Sequence, residues 1–539
     1  MKKPLPTLII GLISIFLTNQ SFAQRYLTEV FSSVNVTYGK AYGQNYNFIT
    51  GSPVLDSLRM DIYQPEGDAE VSRPVVLYFH TGSFLPILVN HTPTGDMRDS
   101  ATVEMCKDFA RRGYVAISMD YRTGWNPASS EVDIRTGTLL QAVYRALQDA
   151  KSCVRYLKMT AQNQSNPWHI DTNRIILGGQ GSGGYIALAY ATLDDPNEIA
   201  LLKFIATGNF PDYGIFQGAP FVIGDIWGDL DGFGGDPTLN HDNWPGYTSN
   251  VQFLFNMGGA MGDSSWLEAG DVPMCSFHSM NDPFAPYGLG TVDVPCDIMC
   301  SCPVIVPTTG QFVVNVAGSL CLMDKVDEVF NNNQSMKAYT DIATDPYTVR
   351  ANQINDGHEG LFPFVLSDPS IVFPGEPFHG QAGPWEWWDT TALKIVAPFY
   401  DVTPALAVIY AQSGLFTNPD MSKTKALAYI DTMQEYLAPR IVQSLQLPGY
   451  IGIDEVHMFD RVAKMFPNPA TDVVTLELDD PSQKIQNLTI VDVAGRVVRE
   501  MNNVNSYRVK INRGDLSQGL YFIKCQLEDK QINGKLIFQ

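Results

Sequence analysis

Ile175-Ile176-Leu177-Gly178-Gly179-Gln180-Gly181-Ser182-Gly183-Gly184-Tyr185-Ile186-Ala187-Leu188 is the stretch that decides the fold. Three apolar residues, a turn crowded with glycine, and apolar residues at helical spacing read as a buried strand that reverses sharply into a helix. The same alternation extends outward from about residue 75 to 445. Residues 75–80 and 114–120 are near-continuous apolar runs, as expected of strands covered on both faces. Further strands are expected over 174–178, 251–255 and 273–278, with helices over 134–158, 183–193, 320–330 and 423–445. Strands alternating with helices imply a doubly wound, mostly parallel sheet of the α/β class.

The composition excludes several functions. In 539 residues, 45% are hydrophobic and 17% charged, enough apolar material for a large core and too little charge for a disordered chain. The net charge is −21, from 36 basic and 57 acidic side chains, and a field of that sign repels phosphate backbones, so no nucleic-acid partner is expected.

At the start, Lys2 and Lys3 precede an apolar run over 5–17 and the small-residue end Ser21-Phe22-Ala23. That reads as a secretory signal peptide over 1–23, cut before Gln24. The run is shorter than the roughly 20 residues a membrane helix needs, so no span is expected in the mature chain. Export permits disulfides. Of the eight cysteines, Cys296, Cys300, Cys302 and Cys321 cluster, and their spacing is not the paired CxxC of a zinc site. They are expected to be oxidised.

A linker over 451–464 leads into a tail, 465–539, of short alternating strands with Gly495, Gly514, Gly519 and Gly534 expected at turns, a small all-β sandwich. Phe466-Pro467-Asn468-Pro469-Ala470, the Asp492-Val493-Ala494-Gly495-Arg496 turn, Leu516-Ser517-Gln518-Gly519-Leu520-Tyr521 and the ending Lys535-Leu536-Ile537-Phe538 together resemble the type A C-terminal sorting domain of the type IX secretion system. The resemblance implies that the secretion machinery is a partner and that the chain passes through the periplasm to the cell surface or medium.

Chemistry is concentrated in four places along 24–450. His80-Thr81-Gly82-Ser83-Phe84 follows the first clear strand, and Asp120-Tyr121-Arg122 ends the next. With the strand–turn–helix of 175–188 they resemble the oxyanion loop, the following strand end and the nucleophile elbow of secreted carboxylesterases and hormone-sensitive-lipase-like α/β-hydrolases. Asn281-Asp282-Pro283-Phe284-Ala285-Pro286-Tyr287 resembles that family's acid loop, and Asn355-Asp356-Gly357-His358-Glu359-Gly360 the turn that presents its base. The resemblance implies an α/β-hydrolase fold, with insertions near 288–317 and 361–420. It also implies hydrolysis of small carboxylic esters with Ser182 as nucleophile, Asp282 as orienter, His358 as base, and N–H groups of Thr81, Gly82 and Gly183 for the oxyanion. No cofactor or metal is implied.

The elbow itself, Gly179, Gln180, Gly181, Ser182, Gly183 and Gly184, has two registers. Aligned without a gap, Gly181 holds the nucleophile's place, and the chain is a non-catalytic surface binding protein in which a serine restored at Gly181 should raise turnover, provided that His358 is in reach. Centred on Ser182, the elbow places Gln180 where a small residue is required. His379 is the alternative base, and the other histidines read as structural. Asp225, Asp229, Asp231, Asp236 and Asp242 fail the calcium-loop order. Trp385, Trp387 and Trp388 wall a cleft or pack the insertion.

Overall fold

The computed structural model describes residues 25–48, 52–288, 301–305, 310–366, 380–448, 463–492, 496–527 and 531–539. The chain divides into two compact units, Met1–Gly449 and Tyr450–Gln539.

The first unit holds β1 (Val34–Asn47), β2 (Val54–Pro65), β3 (Arg73–Phe79), β4 (Val115–Met119), β5 (Ile170–Gln180), β6 (Phe253–Met257), β7 (Met274–Ser279), the hairpin β8 (Ser301–Ile305) and β9 (Phe312–Ala317), and β10 (Leu361–Phe364). Eight of them form one sheet in the order β1-β2-β4-β3-β5-β6-β7-β10. From β4 to β10 every neighbour is parallel, while β1 and β2 add antiparallel at one edge. Every residue of β3, β4, β6 and β7 is buried, which explains why they are mostly apolar without a polar alternation. Burying each of Val76, Leu77, Ile176 and Leu177 contributes about 2 kcal/mol.

The principal helices are α1 (Ser100–Arg111), α2 (Val132–Asn163), α3 (Ser182–Thr192), α4 (Ser319–Asp324), α5 (Thr390–Val396), α6 (Pro404–Ser413) and α7 (Lys423–Leu445). α1 packs on β2, β3, β4 and α7, whereas α2 packs on α3, β1 and β5. This is the doubly wound α/β-hydrolase fold.

Three elements depart from the sequence reading. The β1–β2 hairpin was not expected. The helix placed over 320–330 ends as α4 at Asp324 and continues as a π-helical turn, Lys325–Val329. β10 lies where no strand was assigned, and its position decides the fate of one proposed catalytic residue. Among the described residues, no helix is long and apolar enough to cross a membrane; residues 1–24, with the proposed signal peptide, lie outside them.

The second unit is an all-β sandwich. β11 (Ala463–Phe466), β12 (Val473–Leu478) and β15 (Arg508–Asn512) form one sheet, and β13 (Ile485–Asp492), β14 (Val497–Ser506), β16 (Gly519–Gln526) and β17 (Gln531–Phe538) the other. Val474, Leu476 and Ile511 from the first meet Leu488, Ile490, Ile523 and Leu536 from the second in one core. Gly534, expected at a turn, instead sits within β17 opposite Ile523.

Candidate functional site

The parallel strands β3 to β7 deliver their C-terminal ends to one rim of the sheet, where ligands bind in open α/β folds. The elbow follows β5. Gly181 has φ 53 and ψ −119 and caps α3, a conformation that strains any residue with a Cβ. Crowding on either side fixes the frame of the turn. A Cβ at Gly179 would lie 2.2 Å from the Gly183 carbonyl oxygen, and one at Gly183 would lie 2.1 Å from that of Phe79. With Gly178 and Gly184, where a Cβ would lie 2.0 Å from the Phe255 ring and 2.2 Å from Asn256 Oδ1, the positions that must be small are 178, 179, 183 and 184, placed symmetrically about Gly181. Ser182 is the first residue of α3 and is buried. Its hydroxyl shares a 3.0 Å hydrogen bond with Tyr121 Oη, which also donates to the His80 carbonyl at 2.8 Å. Gln180 is buried inside, accepting from Tyr78 Oη at 3.1 Å and donating to Glu386 at 3.3 Å.

The loop after β3 closes over this turn. Gly82, at φ +127, lies so close to Gly95 that a Cβ on it would be 2.8 Å from the Gly95 Cα. Thr81 reaches the elbow directly, with its Oγ1 2.2 Å from where a Cβ on Gly181 would stand. The hydroxyl of Thr81 thus occupies the volume that a side chain at the tip would need. The His80 ring stacks on Tyr121 with centroids 4.4 Å apart, and its Nδ1 is 2.5 Å from the Thr81 carbonyl oxygen. Arg122 ties the neighbouring turn to α2: its Nε reaches both Asp149 carboxylate oxygens, at 2.9 and 3.0 Å, in a fully buried pair.

Asp282 follows β7. Its Oδ1 accepts from the backbone N–H groups of Phe284 and Ala285 at 2.8 and 3.0 Å. Its Oδ2 faces Gly258, at the end of β6, where a Cβ would lie 3.4 Å away beside the buried Trp385 ring. Burial pushes the Asp282 carboxyl up to about 7, against the pull of those two donors. Two more carboxyls are raised alongside it. Glu386 is pushed up to about 8 by burial and by the charges of Asp99 and Asp282. Asp99 is pushed up to about 7 by burial and Asp96. His278, read as structural, donates from Nε2 to the Ala285 carbonyl (2.9 Å) and shares a hydrogen bond with Ser319 Oγ through Nδ1 (2.6 Å), and burial lowers it to about 4.

The rim therefore brings together Thr81, Gly82, Gly179, Gln180, Gly181, Ser182, Gly183, Gly184 and Asp282. It does not include His358. That residue stands in the turn before β10, and β10 runs parallel to β7 with Leu361 beside Ser276 and Phe364 beside Ser279. His358 is thus at the N-terminal edge of the sheet, in the turn below β10, whose four residues alone span about 10 Å at 3.3 Å per residue before the rim is reached. The assignment of His358 as base is corrected on this ground. His379 lies outside the described residues. Its neighbour Gly380 packs against the acid loop, where a Cβ would overlap the Asn281 carbonyl oxygen at 1.9 Å.

The aspartates over 225–242 serve local turns. Asp229 accepts from the N–H groups of Asp231 and Phe233, and Asp242 from that of Gly234. Trp388 packs the insertion, donating to the Ala411 carbonyl of α6 at 3.2 Å. Sequence reading passed over Glu386 and Asp99, whose roles arise only from what the fold brings near them.

The strand order, the tight turn after β5 and the acid loop after β7 define an α/β-hydrolase. Residues 60–207 match the BD-FAE family, and residues 464–539 match the secretion system C-terminal sorting domain. The chain has an α/β-hydrolase fold with a segment similar to the BD-FAE family and a sorting domain at its C-terminus, which marks it as secreted or held at the cell surface. No curated protein matches it. Similar solved structures include Thermogutta terrifontis esterase 2 phosphorylated by paraoxon, at 18% identity over 48% of this chain and 74% of that one, TM-score 0.29. Its apo form matches at 17% identity over 48% and 75%, TM-score 0.28.

Proposed function

We propose that this is an exported binding protein that retains an α/β-hydrolase site without its nucleophile. The observation that carries the reading is Gly181, which holds the positive-φ tip of the elbow while the Ser182 hydroxyl, one residue on, bonds Tyr121. A nucleophile needs an exposed oxygen and a base in reach. Ser182 is buried against a phenol whose proton burial holds more tightly than usual. What remains is suited to holding an ester or acyl group. The Thr81 hydroxyl and the first N–H groups of α3, which have no acceptor within the helix, are donors for its carbonyl oxygen.

Ester hydrolysis tests this. Wild-type turnover of short acyl esters is expected to exceed the uncatalysed rate by no more than about 10³–10⁴-fold, the part that binding and oxyanion effects supply without a nucleophile, and Ser182→Ala should leave it unchanged. Robust wild-type turnover that Ser182→Ala abolishes would instead establish a carboxylesterase with Ser182 as its nucleophile.

The export route in this reading begins with the signal peptide over 1–23, which delivers the chain to the periplasm. The sorting domain then engages the type IX machinery. Export also favours disulfides among Cys296, Cys300, Cys302 and Cys321. In support, the free thiols among the described residues are Cys106, Cys153, Cys275 and Cys525, all buried, whereas Cys302 and Cys321 are not of their number. Each bridge adds about 3 kcal/mol. Mass spectrometry of the unreduced protein should find the four clustered cysteines resistant to alkylation. Four alkylated residues there would refute the bridges.

A further inference from the structure

Displaced from the rim, His358 meets three acidic residues. Asp324 ends α4, and Asp327 and Glu328 follow in the π-helical turn Lys325–Val329. Residues three and four apart share a helix face, so the three carboxylates line one side, and π turns recur at functional sites. His358 Nε2 lies 3.9 Å from Asp324 Oδ1. One ligand atom from each of Asp327, Glu328 and His358 falls within 4.8 Å of the others.

Two features distinguish the group from an acidic surface patch. His358 Nδ1 is buried with no hydrogen-bond partner. The Asp327 carboxylate is only 1% exposed; its Oδ2 accepts from the Glu359 N–H at 3.0 Å, and its Oδ1 faces Lys337 Nζ at 2.8 Å. Lys337 is the cation that answers this cluster. Lys325 turns away to Ser264, and Arg440 is engaged by Glu359. Three carboxylates against one ammonium leave a local charge of two minus. Each carboxylate has further lone pairs, so Asp327 can accept from Lys337 and still ligate an ion.

We propose that Asp327, Glu328 and His358 bind a divalent transition-metal ion, with Asp324 alongside. One imidazole with carboxylates suits Zn²⁺ or Mn²⁺, whereas Ca²⁺ takes six to eight oxygens. The ion would pin the turn before β10 to the end of α4, on the edge of the sheet opposite the candidate site. Its effect is on stability rather than on ligand binding at the rim.

The test is titration of metal-stripped, full-length protein with Zn²⁺ by calorimetry, alongside thermal melting. One equivalent is expected to bind and to raise the melting temperature. His358→Ala and Glu328→Gln should each weaken binding at least about tenfold, and Glu328 is exposed, so its replacement leaves packing intact. Excess Ca²⁺ should not compete. No stoichiometric uptake by the wild type, or binding undiminished in either variant, would overturn the site.

Discussion

The double substitution Thr81→Gly with Gly181→Ser is expected to switch on ester hydrolysis, while neither change alone does so. A serine at position 181 needs its Cβ where Thr81 Oγ1 now lies, 2.2 Å from that point. Gly181→Ser alone therefore forces Thr81 or the turn to move, and it adds backbone strain of about 1–2 kcal/mol at φ 53. Thr81→Gly alone opens the space but supplies no nucleophile. The family this sequence resembles has glycine in its oxyanion loop where Thr81 stands and serine in its elbow where Gly181 stands, so the two departures form one exchange of volume across the site. Losing a catalytic serine costs about 10⁶ in turnover in a tuned enzyme, so a gain of at least about 100-fold over wild type is a modest expectation in an untuned one. In the doubly substituted protein, His379→Ala should return the rate to its starting level and His358→Ala should not. Activity in Gly181→Ser alone equal to the double variant would refute the exclusion by Thr81. A gain lost in His358→Ala would refute the placement of that residue.

The strand–turn–helix of 175–188 was legible because its parts adjoin in sequence and each has a local signature: apolar run, glycines, helical period. β3 and β4 were legible for the related reason that burial on both faces leaves them almost wholly apolar, as over 75–79 and 115–117, while β7 was read from its apolar start despite Ser276, His278 and Ser279. β1 was not. Its residues VNVTYGKAYGQNYN are mostly exposed or half-buried, with Tyr42 and Asn45 alone buried, and carry two glycines, so no apolar stripe marks it. β10 is four residues long with Pro363 inside, and such a run reads as a loop. Missing that one short strand reversed the histidine assignment, because a residue before a parallel strand and a residue after it reach opposite edges of the sheet. The pairing of Thr81 with Gly181 spans a hundred positions, and no periodicity or spacing carries such information. The same holds for Glu386, which reaches Gln180 only through the insertion that follows β10.

Stability should fall as pH rises through the neutral range, by about 3 kcal/mol between about pH 6.5 and 8.5. The cause is the group of carboxyls at the rim. Asp282 and Asp99 are raised to about 7 and Glu386 to about 8, in each case mainly by burial. In the unfolded chain these groups ionise near their ordinary values, about 4. Between that point and their raised values the folded protein holds protons that the unfolded chain has released. Their stabilising contribution is therefore complete at low pH and lost as pH passes through 7 to 8. His278 acts in the opposite sense. Lowered to about 4 by burial, it favours folding as pH rises towards its ordinary value of about 6.5, above which it adds no further slope. From about pH 6.5 to 8.5 the carboxyls therefore dominate the slope, opposed in part by Lys158, which burial lowers to about 8. Asp108, raised to about 8 by burial, and His80, raised by the nearby Asp120 despite its burial, add to the same trend. Urea denaturation at both ends of the window measures the difference. Glu386→Gln should remove the largest single share of it, because a neutral amide cannot ionise beside Asp99 and Asp282. Equal stability at both ends, or an unchanged difference in Glu386→Gln, would show that these carboxyls are ionised throughout and that the rim is wetter than its packing implies.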